Sequence, residues 1–250
     1  MEGINSQRPV IIFYHLFAVN HWKEVISYQL DQIVETGLMD VIDRMYVGVN
    51  YLEEETLKEV RELLSGYPKV VIYHERHSKK FPVTIWNEPK VEISSQLGEG
   101  ETLLKMVEYS QENPPAYYLF MHSKGASKPK DKSRSQIGYF YKKGLSESSN
   151  SNEIRRFIIK ELTSSMLSDW RGILEKIEDK NFFHSLWNFF WVRSEMLEKF
   201  DFQHYRNKSP IAKRRGLKDR HFTATFPVSL YQALNGDRSI DNRKQPNILK

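Results

Sequence analysis

The chain of 250 residues contains no cysteine. Disulfides, thiolate metal ligands and cysteine nucleophiles are therefore excluded together, and a reducing compartment suits such a chain. No segment approaches the roughly 20 consecutive apolar residues of a membrane-spanning helix. The opening MEGINSQRPV lacks a basic start followed by an apolar run, so no secretory leader is expected. Several mechanistic signatures are missing as well. No GxGxxG follows the first strand-like segment, and there is no GxxxxGK[ST], no HExxH and no spaced histidine pair. There is no G-x-S-x-G elbow. Asp-x-Asp, the usual metal–diphosphate handle of nucleotide-sugar enzymes, is also absent, and no internal repeat is seen.

What is present is a globular composition. Hydrophobic residues make up 40% of the chain and aromatics 13%, enough for a real core and too much for general disorder. The net charge is +5 and the pI near 9.1, which favours anionic partners such as phosphorylated ligands, nucleic acid or an acidic membrane surface. Basic residues gather at Lys124–Arg134 and Arg206–Arg220, where a solvated loop is the plain alternative to a binding patch.

Periodicity orders the first part of the chain. Val10–Tyr14 reads as a buried strand. Asn20–Thr36 carries Trp22, Val25, Ile26, Leu30 and Ile33 at helical spacing, with Asn20 as its cap and Gly37 as its stop. Arg44–Val49 is a second strand, Glu53–Leu64 a helix with an acidic first turn, and Lys69–Tyr73 a third strand. Alternation of this kind predicts a parallel sheet with crossover helices. Ligands then sit outside the carboxyl ends of the strands, which places Tyr14 and His15, Val49 and Asn50, and His74 and Glu75 at the functional edge. His77–Gln96, interrupted by Pro82 and Pro89, is expected as a loop or short hairpin. Glu101–Gln111 is expected as a helix, ended by Asn113-Pro114-Pro115.

Ala116–Met121 is a fourth strand, and His122 stands at its carboxyl end. Beyond it, 126–135 reads as a polar loop, Gln136–Leu145 as a short aromatic helix and Ser146–Asn152 as a linker. Glu153–Lys180 is a long helical region split near Ser168-Asp169. Phe182–Val192 is a strand pair or a strand after a turn, and Ser194–Phe200 a short helix. The last fifty residues are basic, with little periodicity.

Two blocks carry the chemistry. His122-Ser123-Lys124-Gly125 combines a cation for an anion, a histidine donor and a glycine that lets backbone N–H groups approach. Such groups can stabilise a diphosphate leaving group without a metal; an ordinary strand-end turn would produce the same string. FFHSLWNFFWVRSEML (Phe182–Leu197) is largely core by composition. Its amide Asn188, set in an apolar run, needs partners.

An apolar strand ending in His-Ser-Lys-Gly, followed later by an Asn-Phe-Phe-Trp segment, resembles a bacterial and viral group of small glycosyltransferases with HTKG and GNFWW blocks. Tyr14-His15 after the first strand, Thr36–Leu38 before a VGV strand, and Glu101–Leu103 opening a helix agree with it. The resemblance spans Val10 to Phe200. It departs where Trp187 replaces the glycine before Asn188, and where Phe190-Trp191 replaces the Trp-Trp pair. No glutamate follows Arg220.

The resemblance implies a GT-A-like, Rossmann-type mixed α/β sheet flanked by helices, with a helical and basic C-terminal extension. Residues 1–205 would form one catalytic domain, with a nucleotide-binding half at 8–125 and an acceptor half at 126–205. Residues 206–250 would pack on the domain or remain flexible. The implied activity is transfer of a sugar from a UDP-, GDP- or dTDP-sugar to a glycan or lipid-linked acceptor, with no requirement for a divalent metal or a weak one. Tyr14, His15, His122, Ser123, Lys124, Gly125 and His221 would bind the donor. Asn188, Trp191 and Glu101 would face the sugar or acceptor. Candidates for the catalytic carboxylate are Asp219, Glu195 and Glu101, with Asp219 favoured because it falls where GT-A enzymes carry a late acidic residue. A cytoplasmic location, with peripheral contact to an anionic membrane face and no specific nucleic acid, completes the expectation. A basic nucleic-acid-binding protein and an inactive sugar-nucleotide-binding module are the alternatives.

Overall fold

A computed structural model describes residues 8–85, 88–94, 99–123, 151–178, 184–186 and 189–198. The expected alternation is present: β1 (Val10–Ala18), α1 (Trp22–Glu35), α2 (Leu38–Val41), β2 (Arg44–Tyr51), α3 (Glu54–Ser65) and β3 (Val70–His77). A hairpin of β4 (Lys79–Ile85) and β5 (Glu88–Ser94) follows, then α4 (Gly100–Glu112) and β6 (Tyr117–His122). The chain continues with α5 (Ser151–Leu167), α6 (Trp170–Glu178), β7 (His184–Leu186), β8 (Phe189–Arg193) and α7 (Glu195–Glu198). The main sheet has six strands in the order β3-β2-β1-β6-β8-β7. β1, β2, β3 and β6 are parallel, while β8 runs antiparallel to both β6 and β7. This is a mixed, Rossmann-like α/β sheet flanked by helices.

Both faces of the sheet are covered, which is why its central strands read as nearly unbroken apolar runs. Val10, Ile12, Tyr14, Leu16 and Ala18 of β1 join one core with α1, α3, α5 and α6. Ile11 and Phe13 point the other way, into a smaller core with α4 and α7. Two tryptophans close helix ends. Trp191 Nε1 donates to the Met166 carbonyl at 2.8 Å, in the last turn of α5. Trp170 Nε1 donates to the Thr36 carbonyl at 3.1 Å, at the end of α1. Carbonyls in a last turn have no partner within their own helix, so each indole satisfies an otherwise orphaned acceptor.

Local details refine the expectations. Gly37 does stop α1, at φ 71, with its N–H donating to the Val34 carbonyl at 2.9 Å. Asn20 is not the cap: it holds φ 50 in the preceding turn, and His21 occupies the cap position. The expected split of the long helical region falls at Ser168-Asp169, where Asp169 Oδ1 accepts from the Gly172 N–H at 3.2 Å and starts α6. Ser151 and Asn152, expected within a linker, already belong to α5. The expected helix at Gln136–Leu145 and the basic segment 206–250 lie outside the described residues.

Candidate functional site

The connections define where a ligand can enter. From β1 the chain moves to β2 and then β3 on one side, whereas β6 returns to the other side of β1. The order reverses between β1 and β6, which makes their carboxyl ends the switch point at which open α/β sheets take ligands. His15 and His122 are register partners across this boundary. The same row continues through Gly48 to His74 on β3. Parallel partners project to one face, so three histidines line the carboxyl edge on the side covered by α4. The next row holds Phe17, Asn50 and Arg76.

The start of α4 supplies the polar partners of this row. His122 Nδ1 lies 3.2 Å from Glu99 Oε1, and its ring packs edge-on to Phe189 at 4.9 Å. Glu101 is held on two sides: Arg76 Nη2 is 2.6 Å from one carboxylate oxygen, and His74 Nε2 is 2.8 Å from the other. The His74 contact is an ion-pair approach and not an aligned hydrogen bond. His15 Nδ1 stands 3.2 Å from Thr102 Oγ1. Burial drives the basicity of His15 down to about 4; nearby Glu99 opposes this, while His122 and His74 add to it. The imidazole is therefore neutral at neutral pH.

Ser123 ties the end of β6 to β1. Its N–H donates to the His15 carbonyl at 3.0 Å, and its Oγ accepts from the Phe17 N–H at 2.8 Å. Its hydroxyl thus braces the two strand ends against each other. Lys124 follows directly in the chain; Lys124, Gly125, Asn188, Asp219 and His221 lie outside the described residues. The described part of the site thus holds two carboxylates, Glu101 against Arg76 and Glu99 against His122. Among the described residues no group of three or more His, Asp or Glu side chains is arranged to hold a metal ion.

Three expected site residues are not brought to this edge. Tyr14, one position from His15, points to the opposite face, where it is fully buried and its hydroxyl donates to Gln29. It belongs to the core beneath α1, because neighbouring residues of a strand alternate sides. Trp191 is also fully buried, with its N–H committed to Met166, so no face of the indole is open to a sugar. Glu195 lies at the other end of the sheet. β8 runs antiparallel to β6, pairing Arg193 with Tyr117, so the chain leaves β8 beside the amino ends of the parallel strands. There Glu195 Oε1 accepts from Arg8 Nη1 at 2.6 Å, and Arg8 burial and pairing hold the lower edge together with Glu178 and Tyr117. Glu195→Gln is accordingly expected to cost about 1 kcal/mol of stability and to leave ligand binding unchanged. Chemical unfolding and ligand titration on the same variant check both parts.

Glu99, Thr102, Tyr73 and Arg76 are site residues that sequence reasoning missed. The string HERH at the end of β3 was the only local sign for Arg76. Thr102 meets His15 across 87 positions of chain, a distance no local pattern spans. Comparison with protein-family models, with curated proteins and with solved structures found no match to this chain.

Proposed function

We propose that this protein is a nucleotide-sugar-dependent glycosyltransferase of GT-A-like architecture, acting on a glycan or lipid-linked acceptor. The observation that carries the reading is the position of His122 and Ser123. They end the strand that borders the switch point, next to His15, at the edge where open α/β sheets take their ligands. Lys124 and Gly125 come next in the chain and would meet the donor diphosphate there. Charge on the departing diphosphate would be met by the lysine and by histidine donors in place of a metal held by Asp-x-Asp.

With Glu195 on the far edge, the proposed carboxylate base is Asp219, and Glu101 serves as a fixed acceptor-side carboxylate between Arg76 and His74. The reading places the enzyme in the cytoplasm, with its basic segments against an anionic membrane face; no helix among the described residues is long and apolar enough to cross a membrane. An inactive module that binds the same donors is the second reading, favoured by the removal of Glu195 from the edge. Calorimetric titration with UDP-, GDP- and dTDP-sugars, with and without Mn²⁺, should show binding of one class. Lys124→Ala should weaken that binding at least tenfold and abolish donor turnover; failure of every donor to bind would sink the proposal, and binding without turnover would favour the module.

A further inference from the structure

Tyr73, Thr102 and His15 form a hydrogen-bonded chain across β3, α4 and β1. The Tyr73 hydroxyl stands 3.0 Å from Thr102 Oγ1, which stands 3.2 Å from His15 Nδ1. Thr102 is fully buried. A threonine hydroxyl owns one proton and accepts through its lone pairs. The Tyr73 hydroxyl has no other acceptor among the described residues, so its proton is assigned to Thr102. If His15 Nδ1 also carried a proton, both neighbours would donate to the same oxygen, and the buried threonine proton would have no acceptor among the described residues. With Nδ1 bare, Thr102 donates to it and every proton in the chain is used. An unsatisfied buried donor is costly, so counting donors selects the second arrangement.

The single proton of the neutral imidazole then sits on Nε2. No hydrogen bond to that nitrogen is found among the described residues, although the side chain is 4% exposed. Gly48, the register neighbour of His15, leaves room for the chain. A Cβ there would stand 2.8 Å from both Thr102 Oγ1 and the Tyr73 hydroxyl.

We infer that Tyr73 and Thr102 are positioning residues that lock His15 as the Nε2–H tautomer, a neutral donor for an acceptor oxygen of a nucleoside diphosphate at the β1/β6 switch point. Unlike a lysine or a charged histidine, such a donor adds no charge to the site and keeps its proton across the neutral range. The identity of the acceptor rests on the proposed function; the tautomer does not.

Long-range ¹H–¹⁵N correlation on protein labelled with ¹⁵N-histidine reads the tautomer directly, with His15→Gln assigning the resonance. The wild-type spectrum at pH 7 should show His15 as Nε2–H. Thr102→Val should release it to a mixture, and Thr102→Ser should restore it. An Nδ1–H or imidazolium pattern in the wild type would overturn the inference. In titrations with UDP, GDP and dTDP, Thr102→Val should bind about tenfold more weakly than wild type, as loss of one hydrogen bond to an anion does, and Thr102→Ser should recover. Equal affinities would overturn the donor role. If no nucleotide binds any variant, the ligand assignment falls with the proposed function, while the tautomer spectrum still decides the relay.

Discussion

Trp191→Ala is expected to lower the unfolding free energy by about 3–5 kcal/mol, the range for emptying a fully buried tryptophan site. Its indole is enclosed in the larger core and closes the end of α5 through the Met166 carbonyl. Alanine leaves a cavity and also leaves that carbonyl without its donor. Trp191→Phe should recover most of the packing but not the hydrogen bond, and so fall between the two. Denaturant unfolding of the three proteins measures this ordering. A Trp191→Ala protein as stable as wild type, but defective in binding a sugar, would return the residue to the role of an exposed platform.

Acid should destabilise this protein through His15. In the unfolded chain the imidazole takes up a proton near its ordinary value of 6.5, whereas in the folded protein burial delays uptake to about 4. Between these values the unfolded state binds more protons, so stability falls as pH drops from about 6.5 to about 4 and is unaffected by this group above that window. The full loss is on the order of 3 kcal/mol. His15→Gln removes the group while the other histidines remain, so the difference between the two stability-versus-pH curves isolates it. Wild type should lose stability relative to the variant on acidification. Parallel curves from pH 7 to pH 4 would show that His15 is not buried in its neutral form.

Much of the architecture was legible because it is written in short-range pattern. The strand–helix alternation of the first part of the chain, the break at Ser168-Asp169 and the placement of His122 at the end of a strand all follow from periodicity and from local chemistry. The choice between neighbours was not legible. Tyr14 and His15 both follow an apolar run, and only the pleat, anchored by α1 on one side and α4 on the other, sends one to the core and the other to the edge. The same holds for Trp191, whose aromatic character suits a core and a sugar platform equally well.

Glu195 shows a different limit. Its spacing from the His122 block is compatible with a shared site, but strand direction decides the matter. β8 pairs antiparallel with β6, and the chain that leaves it emerges at the opposite edge. Composition and local order were therefore sufficient to determine an α/β protein with a polar strand end after β6. Which side chains meet there was decided by the tertiary structure. The contacts of Thr102 with His15, Arg76 with Glu101 and Glu99 with His122 depend on strand pairing and on the docking of α4, and those long-range contacts leave no trace in the spacing of neighbouring residues.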